Sequence, residues 1–169
     1  GRHLDAIYEP GVAFFLDGPQ SVQFCEANES NRAAHFAGGR MRTVVEELGD
    51  HYSVSLWFWN GMPTDGREIA GWMFSRDRDY GVSNMGDHLG LGGMISSGRL
   101  VYLNGDELVA GTTEIDRWTW NHAVLVRDGN QVSVYLNGQV EPEIETLSPN
   151  APAMISQLCF GGRRDNESN

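Results

Sequence analysis

"NHAVLVRDGNQVSVYLNGQV", residues 121–140, is the stretch from which the fold is read. Val124 and Val126 alternate with Ala123, Leu125 and Arg127, and past Asp128-Gly129-Asn130 the residues Val132, Val134 and Leu136 alternate with Ser133, Tyr135 and Asn137. Successive side chains of a strand leave on opposite faces, so alternation flanking a short Asp-Gly loop predicts an antiparallel hairpin. Asn137-Gly138 adds a second tight turn, because both residue types adopt positive φ at low cost. The pentapeptide "VYLNG" that closes this stretch at 134–138 also stands at 101–105. Its spacing falls within the range of helical repeat arrays. The segment between the two copies has no apolar stripe at helical spacing, which removes that reading. The echo predicts two strands, each ending in an Asn-Gly turn.

Working outward, "YSVSLWFWN" (52–60) is the clearest long strand. Val54, Leu56 and Phe58 share one face; Ser53, Ser55, Trp57 and Trp59 share the other. Further strands are predicted over 11–17, 21–26, in two pieces within 35–45, near 69–75, 89–95, 99–103, 107–110, 120–127, 131–136 and 155–160. Residues 28–34 read as a polar loop, 46–50 as one helical turn at most, and 75–88 as the longest polar loop. No segment requires a longer helix and no internal boundary stands out. The expectation is an all-β chain forming one domain over residues 1–169, a two-sheet antiparallel β-sandwich.

Composition agrees and narrows the function. A chain of 169 residues can bury one core, and 21 glycines suit many turns. The net charge of −11 argues against a nucleic-acid partner, whose phosphates demand clustered Lys and Arg, and disfavours an anionic membrane. No apolar run approaches the roughly 20 residues of a membrane span, and no signal peptide stands in the chain. An exported protein would have lost that signal or carried it elsewhere. Cys25 and Cys159 lie far apart without metal-ligand spacing. Two readings stay open for them: buried thiols, or a disulfide joining strands near the two ends in an oxidising compartment.

In order along the chain, "AAHFAGGRM", "YSVSLWFWNG", "IDRWTWNHAVLVRDGNQVSVYLNGQ" and "QLCFGGR" together resemble the laminin-G-like, concanavalin A-like domains. The resemblance implies a jelly-roll sandwich that serves lectins, adhesion modules and glycosidases alike. It also implies a closing strand after the Gly-Gly segment, which the sequence ending "RRDNESN" lacks. The expected role is a non-catalytic carbohydrate-binding or adhesion module of an extracellular or cell-surface protein, with a glycan or surface polymer as partner. A structural domain docking on other domains or subunits is the rival, and a glycosidase of the same fold comes third.

The residues carry these readings unequally. Glu114 and Asp116 lack the third alternating acid that glycosidases of this fold use, and Glu141, Glu143 and Glu145 alternate around a Pro142 that predicts a solvated edge or loop. No hydrolase, zincin or P-loop motif occurs, so no enzyme is expected. Trp118, Trp120, His122, Val124 and Val126 share one parity and read as core. Trp57 and Trp59 beside serines form either a stacking platform for sugar rings or a face covered by another layer. Arg76, Arg78 and Tyr80 are candidate glycan contacts in the long loop. The resemblance implies Ca²⁺ at a loop rim, for which Asp77, Asp79, Asn84 and Asp87 offer oxygens, with Asp17, Asp165 and Asn166 as further candidates. Solvated loop acids are the plain alternative.

Overall fold

The computed structural model describes residues 5–20, 30–46, 48–76, 86–148, 150 and 155–163. Thirteen strands run through them. They are β1 (Ala6–Tyr8), β2 (Val12–Asp17), β3 (Arg32–Phe36), β4 (Met41–Val44), β5 (His51–Trp59), β6 (Ile69–Arg76) and β7 (Asp87–Gly92). After these come β8 (Leu100–Asn104), β9 (Glu107–Ala110), β10 (Trp120–Asp128), β11 (Gln131–Leu136), β12 (Ile144–Leu147) and β13 (Gln157–Phe160). A seven-stranded sheet has the order β1-β4-β13-β6-β7-β8-β9, a four-stranded sheet the order β12-β11-β10-β5, and β2-β3 is a separate hairpin. All pairings are antiparallel, and the described residues contain no helix. Phe58, Leu125, Val132, Val134 and Leu136 of the smaller sheet pack with Phe74, Leu89, Leu91, Leu100 and Tyr102 of the larger. The fold is the predicted two-sheet antiparallel β-sandwich.

The deciding hairpin forms as read, with Asp128 opposite Gln131 and Ala123 opposite Leu136. Its two-residue loop places Gly129 first at φ 61°, the arrangement a glycine-first hairpin turn needs. The parity on β10 is the reverse of the expectation. Asn121, Ala123, Leu125 and Arg127 are buried, while Trp120, His122, Val124 and Val126 are half-buried on the outer face. Polar residues at 121 and 127 disguise the inner face, and each goes inside because it finds partners there. Asn121 binds Thr119 and Asn137; Arg127 binds Asp87.

The two copies of the pentapeptide also diverge. At 134–138, Val134 and Leu136 face the core, and Asn137-Gly138 turn at φ 51° and 73°. At 101–105, Tyr102 faces the core, Asn104 still pairs with Glu107, and the turn begins at Gly105. The Asn-Gly reading holds for the later copy only.

Boundaries shift elsewhere. Residues 32–34, predicted as loop, belong to β3, and 46–50 form turns where described. β7 spans 87–92, not 89–95: Gly93 turns away, with its N–H donating to Glu68 O, and a Cβ there would come within 2.0 Å of Arg67 O. β1 and β12 were not predicted. The strand expected at 21–26 lies outside the described residues.

Candidate functional site

Two of the polar residues expected to meet a ligand are inside the sandwich. Asp87, at the start of β7, is fully buried. Its Oδ1 accepts from Tyr102 Oη (2.6 Å), Asn104 Nδ2 (2.8 Å) and Arg127 Nη1 (2.6 Å), and its Oδ2 from Tyr52 Oη (2.5 Å). Those donors occupy the carboxylate from both sheets, so Asp87 is withdrawn as a calcium ligand. Arg76, at the end of β6, is also fully buried. Its guanidinium donates to Ile155 O (2.7 Å) and Gly49 O (2.6 Å) and lies 4.8 Å from the Tyr52 ring centre. It cannot reach a glycan. Burial first, and then the Asp87 charge, pushes the Tyr52 and Tyr102 hydroxyls far above their ordinary pKa of 10.0.

Of the remaining expected metal ligands, Asp17 is the one among the described residues. Asp17 sits on β2 with its carboxylate exposed, 3.1 Å from Arg32 Nη1. Asp77, Arg78, Asp79, Tyr80, Asn84, Asp165 and Asn166 lie outside the described residues, as does Cys25; Cys159 is buried on β13. Among the described residues, no three His, Cys, Asp or Glu side chains gather as a metal requires. Of the alternating glutamates, Glu143 braces a loop: its Oε1 accepts from Thr112 N and Thr113 N and its Oε2 from Thr113 Oγ1 (2.9 Å). Partial burial works to raise its pKa, but the donors from Thr113 and Thr112 outweigh it and hold the value below the usual range.

One constellation does assemble, on the outer face of the four-stranded sheet. Along β5 the core takes Val54, Leu56 and Phe58, so Trp57 and Trp59 must point outward, and they are 43% and 46% exposed. Antiparallel register sets Trp57 opposite His122 and Trp59 opposite Trp120. The Trp57 and His122 rings stack at 5.0 Å between centres and 29° between planes; Trp59 and Trp120 meet edge-on at 5.6 Å and 62°. Ser55 Oγ lies 2.8 Å from His122 Nε2, which fixes the imidazole beneath Trp57.

Just beyond the strand ends, Asn60 is buried and holds the incoming turn. Its Nδ2 donates to Ile115 O (2.9 Å), and its carbonyl accepts from Trp118 N (2.7 Å). Trp118 stands there 60% exposed, with the Arg117 guanidinium 4.6 Å from its ring centre. Four of the five tryptophans in the chain thus meet at one end of one face. Such a strip offers flat apolar surface beside Ser55 and His122, which can exchange hydrogen bonds with hydroxyls. Trp57 and Trp59 were legible in the sequence. Trp118, Trp120 and His122 were assigned to the core, and Arg117 was not singled out. What turns Trp120 and His122 outward is the buried Arg127 on the opposite parity, whose partner Asp87 is distant in sequence.

No family model matches the chain, and neither does any curated protein. Among solved structures it is similar to domain 4 of AbnA, a GH43 extracellular arabinanase from Geobacillus stearothermophilus, solved in complex with arabinotriose. The TM-score is 0.58 at 18% identity, covering 94% of this chain and 73% of that one. At that identity the likeness is one of fold, a β-sandwich.

Proposed function

We propose that this chain is a non-catalytic carbohydrate-binding module of laminin-G-like type, one domain of an exported protein, and that it takes a glycan on the outer face of the four-stranded sheet. The observation that carries the reading is the strip of exposed Trp57, Trp59 and Trp118 with half-buried Trp120 and His122. Large aromatic faces left in water are costly unless something covers them, and sugar rings present the matching apolar C–H surface with hydroxyls at their rims. The neighbouring structure holds an oligosaccharide, which makes arabinotriose and longer arabinans the first ligands to try. Calcium assistance is part of the proposal, with Asp77, Asp79 and Asn84 supplying hard oxygen donors. Titration of Ca²⁺ into chelator-treated protein should then release or absorb heat; no heat and no change in melting temperature removes the ion.

Calorimetry with a panel of neutral arabino- and xylo-oligosaccharides tests the platform. Trp57→Ala and Trp59→Ala should each weaken binding at least about tenfold, the equivalent of some 1.4 kcal/mol, with no hydrolysis of the ligand. Full affinity in the double variant ends this reading. The rival docking role rests on a different surface, where Ile7, Phe15, Leu16 and Val44 on β1, β2 and β4 are each at least half exposed. Under that reading the tryptophan variants leave function intact.

A further inference from the structure

We propose that the end of the aromatic strip is a subsite for the carboxylate of an acidic sugar, with Arg117 as its receptor. The inference rests on the outer face being a glycan surface, and it narrows the ligand to a mostly neutral chain carrying isolated uronic-acid residues.

Arg117 is exposed yet held at two points. Its guanidinium lies on the Trp118 ring at 4.6 Å, and its Nη2 donates to Gly61 O at 3.2 Å. Of five N–H donors in the guanidinium, that bond uses one. The chain has 23 acidic residues and 12 Lys and Arg. Arg32, Arg40, Arg42 and Arg127 are each in an ion pair. Among the described residues Arg117 shares the lack of one with Arg67, Arg76 and Arg99, but it alone of these lies on a tryptophan of the strip. An arginine left unpaired amid such an excess of carboxylates, and already oriented, is a ready anion receptor. Its planar fork matches the two oxygens of a carboxylate.

The turn that presents it is built at a cost. Trp118 has φ 65°, a left-handed conformation that disfavours a large side chain by about 1–2 kcal/mol. At 60% exposure, burial does little to offset this. Trp118 N bonded to Asn60 O (2.7 Å) and Thr119 Oγ1 bonded to Asp116 O (2.6 Å) hold the conformation in place. Strain kept at an exposed aromatic is what a ligand clamp shows. The clamp is continuous with the platform through Gly61: a Cβ there would lie 3.0 Å from Trp59 Cδ1 and 3.4 Å from Trp118 Cζ3. Two indoles therefore approach across bare backbone, and a sugar stacked on Trp59 has its neighbour within reach of Arg117.

Net charge decides which acidic glycan fits. At −11 the molecule repels a dense polyanion. A single carboxylate feels mainly its immediate surroundings, since about 8 Å of physiological saline screens the rest.

The test is calorimetry with xylo- and arabinogalacto-oligosaccharides that each bear one glucuronic acid, against the same chains with the carboxyl reduced to the neutral hexose, and against chains carrying one sulfate ester instead. The wild-type protein should favour the uronate form over its reduced partner by tenfold or more. Arg117→Gln should bring that ratio to within twofold, the loss falling on the uronate chain far more than on the reduced one, whereas Trp57→Ala should weaken both alike. Equal wild-type affinity for the uronate and reduced chains overturns the subsite and leaves the platform standing. Equal or tighter binding of the sulfated chain overturns the carboxylate assignment. Failure of all the chains to bind at millimolar concentration overturns the subsite together with the platform.

Discussion

Four donors converge on the fully buried Asp87 carboxyl, and one of them is the equally buried Arg127. The pair sits between the sheets, with Arg127 Nη2 also donating to Ser148 O at 3.0 Å. Removing one partner strands the other, which in such sites costs about 3–5 kcal/mol. Arg127→Ala should therefore lower unfolding stability by that order in a denaturant titration, whereas Arg32→Ala, whose ion pair is exposed, should change it by well under 1 kcal/mol.

The same cluster sets the alkaline limit of the fold. Tyr52 and Tyr102 have folded pKa values raised, by burial and by Asp87, above the unfolded value of 10.0. Their contribution is therefore complete below about pH 10 and declines as pH rises beyond it, because only the unfolded chain ionises there. On the acid side, burial, and then Arg163, lowers the pKa of His88 well below 6.5. The unfolded chain then takes up a proton that the fold refuses, so stability falls as pH drops below about 6.5. A plateau between these limits should appear in denaturant midpoints, and Tyr102→Phe should flatten the alkaline slope. An unchanged slope removes the hydroxyl from the account.

At the scale of elements, the repeated pentapeptide supplies an internal control. Asn137 occupies a left-handed position, and its side chain joins His122 N and Asn121 Oδ1, both at 2.9 Å. Asn137→Gly loses those bonds alone, about 1 kcal/mol. Asn137→Ala adds roughly 1–2 kcal/mol for the Cβ, so glycine should be the milder substitution. Asn104 is extended in its ladder and donates to Asp87 and to Asn150 O. There Asn104→Gly should be no milder than Asn104→Ala. Thermal denaturation of the four variants decides it, and the same ranking at both sites would contradict the two geometries.

This contrast also shows why strands were legible and turn details were not. Alternation at 121–136 is a local property, and β10 and β11 follow it. Whether Asn or the residue after Gly closes a turn depends on what the flanking residues face. Val134 and Tyr102 face the core from different positions of the same five residues. The sign of a face is equally non-local. Arg127 looks solvent-bound until Asp87, distant in sequence, is seen to wait for it. Trp57 and Trp59 were readable because Val54, Leu56 and Phe58 leave their parity no alternative.

For the whole molecule, the sandwich has two outer faces, and they differ. On the seven-stranded sheet Ser75, His88, Val101 and Cys159 are at most 1% exposed, so the middle of that face is covered, although Ile7 and Val44 at its β1-β4 edge are exposed. Trp72 belongs to it, edge-on to His88 at 5.6 Å and beneath the Arg163 guanidinium at 5.2 Å. The outer face of the four-stranded sheet is the open one, and the other four tryptophans are gathered at its end. Stability and recognition should therefore separate by tryptophan. Trp72→Ala removes a packed ring and should cost on the order of 3 kcal/mol, while leaving oligosaccharide affinity in the surviving folded protein unchanged. Trp57→Ala and Trp59→Ala remove rings that the fold leaves nearly half in water, and the melting temperature should move by only a few degrees for roughly 1 kcal/mol. Their loss should appear in the calorimetric titration instead. A Trp57→Ala protein that melts like the Trp72→Ala protein would make the strip part of the core after all, and the open face would no longer mark a binding surface.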